Sequence, residues 1–378
     1  MAGLVSAPHR PSRTPPRVWL RRCLTVAHRS LGLLAAAYAV VMGASGALLT
    51  FRDEVDFRLH RQLRSSGGAH FSADPDQMVA EVRRRWPNWQ PLSLTWPHDQ
   101  TTNPMIYLLR GAEAREVYFH PETGAIIGWR DPRAGWLGAV QALHSHLGLG
   151  LVGWGRAGRL ANGCGALVLS GLVLSGLLLL GWGQWRSLRP QAAWARSTAG
   201  RWLKATHYLG GSFAAVFLLG LAFTGAYFTW MKQYVAVVDA LLPRAGRVTL
   251  PPLAADAAPG TLPLSRLVAI AGRALPGRPV QRSPIPDPRF PLRITFCEGP
   301  FAAFHRVSAV VLDPRTGALL SVERMADRRA GDSLLGWFSA FHFGVFGGWP
   351  VRVLWAIVGL LAAALGLTGV GMWLRRHR

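Results

Sequence analysis

The chain has 378 residues, half of them hydrophobic, with 42 Lys and Arg against 19 Asp and Glu and a formal net charge of +23. A nucleic-acid binder carries such an excess on a polar surface, but here the charged fraction is only 16%, with 16 Trp and long apolar runs. The hydrophobic content excludes disorder, and three cysteines exclude a disulfide framework.

All nineteen acids fall in two windows, eleven from Asp53 to Asp131 and eight from Asp239 to Asp332. The acid-free remainder holds four stretches near the roughly 20 residues that cross a bilayer. In chain order the sequence predicts a cytoplasmic basic tail (1–29), span one (30–50), an outside domain (51–134), an outer amphipathic segment (135–160) and span two (161–182). A cytoplasmic basic loop (183–206), span three (207–230), a second outside domain (231–332), a second outer amphipathic segment (333–352), span four (353–374) and a cytoplasmic tail (375–378) follow. Orientation comes from the flanks. Arg10, Arg13, Arg17, Arg21, Arg22 and Arg29 precede span one, and Arg186, Arg189, Arg196, Arg201 and Lys204 separate spans two and three. Basic, acid-free flanks belong inside, so both termini are expected in the cytoplasm and both acid-bearing windows outside. A cleaved signal peptide is disfavoured for span one, because its apolar stretch is long and its motif recurs at span three. Arg21-Arg22 lacks the rest of a twin-arginine signal.

The chain reads as a duplication. His28-x-x-x-Gly32 followed by Ser45-Gly46 matches His207-x-x-x-Gly211 followed by Thr224-Gly225, with 17 positions from histidine to hydroxyl in both. Leu137-Gly138…Ala142-Leu143-His144 matches Leu335-Gly336…Ala340-Phe341-His342, and His120-Pro-Glu-Thr-Gly matches Asp313-Pro-Arg-Thr-Gly. Each outside window reads as a small α+β unit. Helical periodicity runs over Pro75–Arg85 and Leu264–Ala274, and strands are expected at Met105–Leu109, Val117–His120 and Leu292–Phe296. Val310–Leu312 and Ala318–Leu320 flank a Pro-x-Thr-Gly hairpin turn, and 250–263 is a Pro/Ala-rich loop.

Of twelve histidines, His9, His60, His70, His98, His120, His305 and His377 lie in tails or outside windows and read as surface residues. His28, His144, His146, His207 and His342 sit at span ends, where polar groups are costly and usually functional. Four of them obey the duplication. His28 and His207 lie at the cytoplasmic end, and His144 and His342 on the outer side. One imidazole from each half at each face is the layout of bis-histidine haem ligation, with His28, His207, His144 and His342 holding haem iron. Zinc fits less well, since no Cys, Asp or Glu completes four ligands. His146 competes with His144, and the repeat register favours His144. Arg29, Arg201, Lys204, Arg156, Arg159 and Arg352 are candidate propionate partners, or else interface anchors. Gly43, Ala44, Gly46 and Gly225 allow close helix approach or room for a macrocycle. No nucleophile triad, HExxH or CxxC occurs, so no catalytic side chain is assigned, and the Trp at span ends form an aromatic belt.

The pieces His28-Arg-Ser-Leu-Gly-Leu, Ser45-Gly46, Leu143-His144, Phe341-His342-Phe-Gly-Val-Phe-Gly-Gly and Asp313-Pro-Arg-Thr-Gly resemble the PepSY-associated transmembrane family, from about residue 20 to the end. The resemblance implies an α-helical integral membrane protein of the bacterial inner membrane, with four core helices in two duplicated halves and a periplasmic PepSY-like α+β domain in each. It further implies two haem b, an inner one on His28 and His207 and an outer one on His144 and His342. The implied activity is that of a ferric-siderophore reductase, drawing electrons from an unidentified cytoplasmic donor. The expected partners are therefore a ferric siderophore and membrane lipid, with no nucleic acid. Arginines outside, such as Arg83–Arg85, Arg278, Arg282, Arg289 and Arg293, suit an anionic chelate, or simply solvent. The other reading is a non-enzymatic membrane-anchored module whose PepSY-like domains bind or regulate a periplasmic partner or protease. A coupled transporter is disfavoured, because no acid lies within a span.

Overall fold

The computed structural model describes residues 16–97, 101–182, 199–245, 248–249, 251, 260–298 and 306–376. The arginines before residue 16, the loop 183–198, most of 250–263, and His9, His98, His305 and His377 lie outside the described residues.

Among the described residues, four helices are long and apolar enough to cross a membrane. The first is α1 (Pro16–Leu49), which starts well before its apolar run. Pro16 suits a first helical turn, where an N–H would be unpaired anyway, and the Arg-rich sequence after it is made of good helix formers. Residues 16–29 are therefore helix, not tail, and His28 lies inside α1. Two short helices, α2 (Arg52–Leu59) and α3 (Arg61–Arg64), lead into α4 (Pro75–Arg85). Four strands follow: β1 (Gln90–Thr95), β2 (Met105–Arg110), β3 (Glu113–Phe119) and β4 (Ile126–Arg130). Helix α5 (Gly135–His146) carries His144, and a glycine-punctuated turn leads to the second crossing helix, α6 (Gly155–Gly181).

The second half repeats the order. The third crossing helix comprises α7 (Ala199–Ala205), a π-turn at Thr206–Gly210 and α8 (Gly211–Thr229). Helices α9 (Met231–Leu241) and α10 (Leu264–Ala274) precede β5 (Val280–Pro284), β6 (Leu292–Cys297), β7 (Val307–Leu312) and β8 (Leu319–Glu323). Then come α11 (Ala330–Phe343), with His342, and the last crossing helix, α12 (Gly348–Leu374). Spans two and four thus begin six and five residues before the predicted 161 and 353.

The two acid-bearing windows share one sheet. All eight strands form one antiparallel sheet in the order β4-β3-β2-β1-β5-β6-β7-β8. The equivalent strands β1 and β5 pair at its centre, Ser93 opposite Pro284 and Leu94 opposite Ser283. Their polar side chains are buried but paired: Trp96 Nε1 donates to Ser283 Oγ at 2.9 Å, and Arg282 Nη2 to Ser93 Oγ at 2.8 Å. Helices α4 and α10 cover the sheet, and one apolar cluster joins Met78, Val82, Leu94, Ile106 and Phe119 of the first half with Leu264 and Ile285 of the second. Full burial of each large side chain contributes about 1.5–3 kcal/mol. Asp76 of α4 reaches across to accept the backbone N–H groups of Leu264 and Ser265 at 2.6 and 3.1 Å, satisfying the first turn of α10. The two Pro-x-Thr-Gly turns are hairpins with Gly124 and Gly317 at φ +68° and +76°, and His120 and Asp313 accept N–H groups within them.

The chain divides into two compact units: residues 1–44, 164–223 and 358–378 in one, and 45–163 and 224–357 in the other. In the first, α1 and α12 touch through backbone: a Cβ on Gly43 would lie 2.3 Å from Gly359 O, and one on Gly366 2.8 Å from Ala36 O. The second holds the sheet, α5 and α11.

Candidate functional site

Two histidine pairs form, each joining the halves of the duplication. His28 and His207, both in the first unit, have ring centroids 6.5 Å apart and planes at 87°. In the second unit, His144 and His342 have centroids 6.3 Å apart and planes at 53°. Two imidazoles bound trans to one metal through Nε2, with bonds of about 2 Å plus the half-width of each ring, place their centroids roughly 6.3 Å apart. Both pairs meet that spacing. Among the described residues no group of three or more His, Cys, Asp or Glu side chains converges, so each pair offers two ligands and no more. Such a donor set suits an iron whose equatorial positions a macrocycle fills.

Every histidine of the two pairs is held the same way. His28 Nδ1 lies 2.8 Å from Ser175 Oγ, His207 Nδ1 3.1 Å from Thr368 Oγ1, His144 Nδ1 2.9 Å from Ser45 Oγ and His342 Nδ1 3.1 Å from Thr224 Oγ1. The residue after each hydroxyl is glycine, and at Gly46, Gly176 and Gly225 the imidazole crowds the space a side chain would take. A Cβ on Gly46 would lie 3.0 Å from His144 Cε1, on Gly176 3.2 Å from His28 Cε1, on Gly225 3.3 Å from His342 Cε1 and on Gly369 3.7 Å from His207 Cε1. Within each half the bonds are reciprocal, the histidine of either arm bonding a hydroxyl on the other. Gly46 and Gly225 therefore seat imidazoles, whereas Gly43 serves helix approach.

The sequence pointed to Ser45 and Thr224 through their repeat but missed Ser175 and Thr368. Span two carries two Ser-Gly pairs, and only Ser175-Gly176 meets a histidine; Ser170 bonds its own helix at Ala166 O. The π-turn at Thr206–Gly210 contains His207. Such insertions are frequent at functional sites.

His28 and His207 both line a cavity of about 860 Å³, within the roughly 300–1,000 Å³ of cofactor pockets. Most of its wall is apolar, from Leu33 and Ala36 of α1, Leu172 and Leu177 of α6, and Leu365 of α12. Arg29, Arg201, Lys204, Arg375 and Arg376 also line it, and among the described residues no carboxylate does. A flat apolar group bearing negative charge at one edge matches that lining. Phe228 meets the His342 ring at 5.2 Å, and Tyr227 and Phe338 extend this aromatic packing.

His146 stands apart. Its Nδ1 is 2.7 Å from the neighbouring Ser145 Oγ, it packs beside Gly150 and Gly155, and among the described residues the histidine ring facing His342 is that of His144. Burial first, and then the Arg159 charge, push the His146 imidazole below its ordinary pKa. Arg352, a candidate propionate partner or interface anchor, donates to Thr50 O and the Glu54 carboxylate and covers the Phe51 and Trp349 rings. His60, expected at the surface, joins a half-buried cluster in which Arg130 and Arg64 pair with Asp56 and Arg130 also pairs with Glu116.

A family model described as the PepSY-associated TM region matches residues 25–376. No curated protein matches the chain.

Proposed function

The chain belongs to the PepSY-associated TM region family, and we propose that it carries single electrons across the bacterial inner membrane to reduce ferric iron held by a siderophore on the periplasmic side. The observation that carries this reading is the pair of cross-half histidine contacts, at 6.5 and 6.3 Å between ring centroids. Each pair would hold a haem b, which would supply a one-electron carrier.

The chain's own groups do the rest. Imidazoles from both halves would hold the group, hydroxyls fix the orientation of the rings, and apolar walls exclude water. Arg29, Arg201, Lys204, Arg375 and Arg376 offset negative charge at the His28/His207 cavity. Both termini lie in the cytoplasm in this proposal, and the sheet domain lies in the periplasm. One electron from a cytoplasmic donor converts one Fe(III) to Fe(II), and the softer ferrous ion is held less tightly by oxygen ligands. Neither step needs an acid–base group.

The test is a stopped-flow experiment on protein reconstituted in lipid vesicles and reduced with dithionite. Adding a ferric hydroxamate or catecholate chelate should return the haem absorbance to its oxidised form while Fe(II) appears with an added ferrous indicator. Stable reduced absorbance in the presence of ferric chelates of both classes would overturn the reductase reading.

A further inference from the structure

Resting on the two-haem reading, we infer that Ser45, Ser175, Thr224 and Thr368 are positioning residues that fix the tautomer and electron donation of the histidine ligands, with the glycine after each as the seat for the ring.

The argument is clearest at His28 and His207. A hydroxyl has one proton to give. Ser175 Oγ donates its proton to Leu172 O at 2.9 Å, and Thr368 Oγ1 donates to Ala364 O at 2.7 Å. What remains for the imidazole is an oxygen lone pair, so the nitrogen facing it is Nδ1–H. The neutral ring then carries its lone pair on Nε2, the nitrogen left for a metal. An acceptor on Nδ1–H also raises the ligand's basicity, and here that acceptor is polarised by its own donation to a carbonyl.

Serine and threonine in membrane helices commonly bond back to their own helix, and interhelical hydrogen bonds commonly serve as adhesive. Neither habit explains the glycines. At Gly46, Gly176 and Gly225 a Cβ would press on Cε1 of the same histidine that the preceding hydroxyl holds, and at Gly369 it would meet that ring in ordinary contact. A hydroxyl and a gap side by side fix a ring in both translation and rotation. Simple adhesion requires only the hydroxyl.

The test compares Ser175→Ala, Ser175→Thr and the wild type as full-length protein. The first readout is haem-free: the ¹⁵N spectrum of histidine-labelled apoprotein. The wild type should show His28 as the Nδ1–H tautomer, and Ser175→Ala a mixture of the two. The second is potentiometric titration of the haem-loaded protein. Ser175→Ala should shift one haem's midpoint to more positive potential and leave the other unmoved, and Ser175→Thr should restore it. If Ser175→Ala sheds that haem outright, recovery of both haem and potential in Ser175→Thr supports the assignment, and failure of Thr to recover them overturns it. An unmoved midpoint in a fully loaded Ser175→Ala protein also overturns it, as does an Nε2–H tautomer at His28 in wild-type apoprotein. A wild type with the Nδ1–H tautomer that takes up no haem would refute the haem reading while leaving the hydroxyl's orienting role intact.

Discussion

Substituting valine for Gly46 puts atoms where the His144 ring now lies. The Cβ alone would stand 3.0 Å from Cε1 and 3.7 Å from Nδ1, and the γ-methyls add bulk beyond it. The ring cannot slide aside freely, because Ser45 Oγ holds Nδ1 at 2.9 Å and Asn162 Nδ2 bonds the His144 carbonyl at 2.8 Å. Overpacking a fixed site costs about 1–3 kcal/mol, which is roughly a 5- to 150-fold loss of affinity for whatever the ring binds. Gly369 is the control, since a Cβ there meets His207 Cε1 at an ordinary 3.7 Å. Haem per polypeptide, measured as the pyridine haemochrome of purified protein, should fall from two to one in Gly46→Val and stay at two in Gly369→Ala. Two haems with an unchanged spectrum in Gly46→Val would refute the reasoning, as would loss of both in a protein whose helices remain folded.

Four further variants test other parts of the structure. His146→Ala should retain both haems and their potentials, read by the same titration, because His146 lies outside both pairs. Asp76→Ala removes the acceptor for the first N–H groups of α10. It should cost about 1–2 kcal/mol, seen as a lower midpoint in thermal unfolding with haem content unchanged below the transition. At Asp56, burial raises the carboxyl's pKa, but hydrogen bonds and charge from Arg130, with Arg64 and His60, outweigh burial and hold it below its ordinary value. Stability from a depressed carboxylate is fully present above the unfolded value of about 3.9 and is lost as pH falls through the folded one. Denaturation below pH 4 should therefore be less steep in Asp56→Asn, while Arg130→Met, which leaves the Asp56 carboxylate to Arg64 and takes a charged partner from Glu116, should cost about 1.5–3 kcal/mol near neutral pH.

The charge distribution made the four crossings legible, because a bilayer tolerates few charges and the acids are confined to two windows. The duplication made the histidine pairs legible, since matched spacing from His28 to Ser45 and from His207 to Thr224 survives sequence drift. Helix ends were less visible. Arginine-rich turns are helical without being apolar, so hydropathy stops near His28 while α1 begins at Pro16. The central strands were invisible for another reason. Strands β1 and β5 contain Pro91, Ser93, Gln281, Arg282, Ser283 and Pro284, a polar composition that alternation does not flag. They are strands because each half satisfies the other's buried polar groups, a property that neither half's sequence shows alone. Ser175 and Thr368 stayed hidden because a Ser-Gly or Thr-Gly pair in an apolar helix is ordinary until a histidine is seen against it.

The most direct test of the account is a reduced-minus-oxidised absorption spectrum of the purified full-length protein, made with ample haem supply, together with His28→Ala and His342→Ala. The account predicts b-type bands at two haems per chain in the wild type and one haem in each variant, the survivors differing in midpoint potential. A wild type with no haem bands, or equal loss of both haems from either variant in a folded protein, would contradict it.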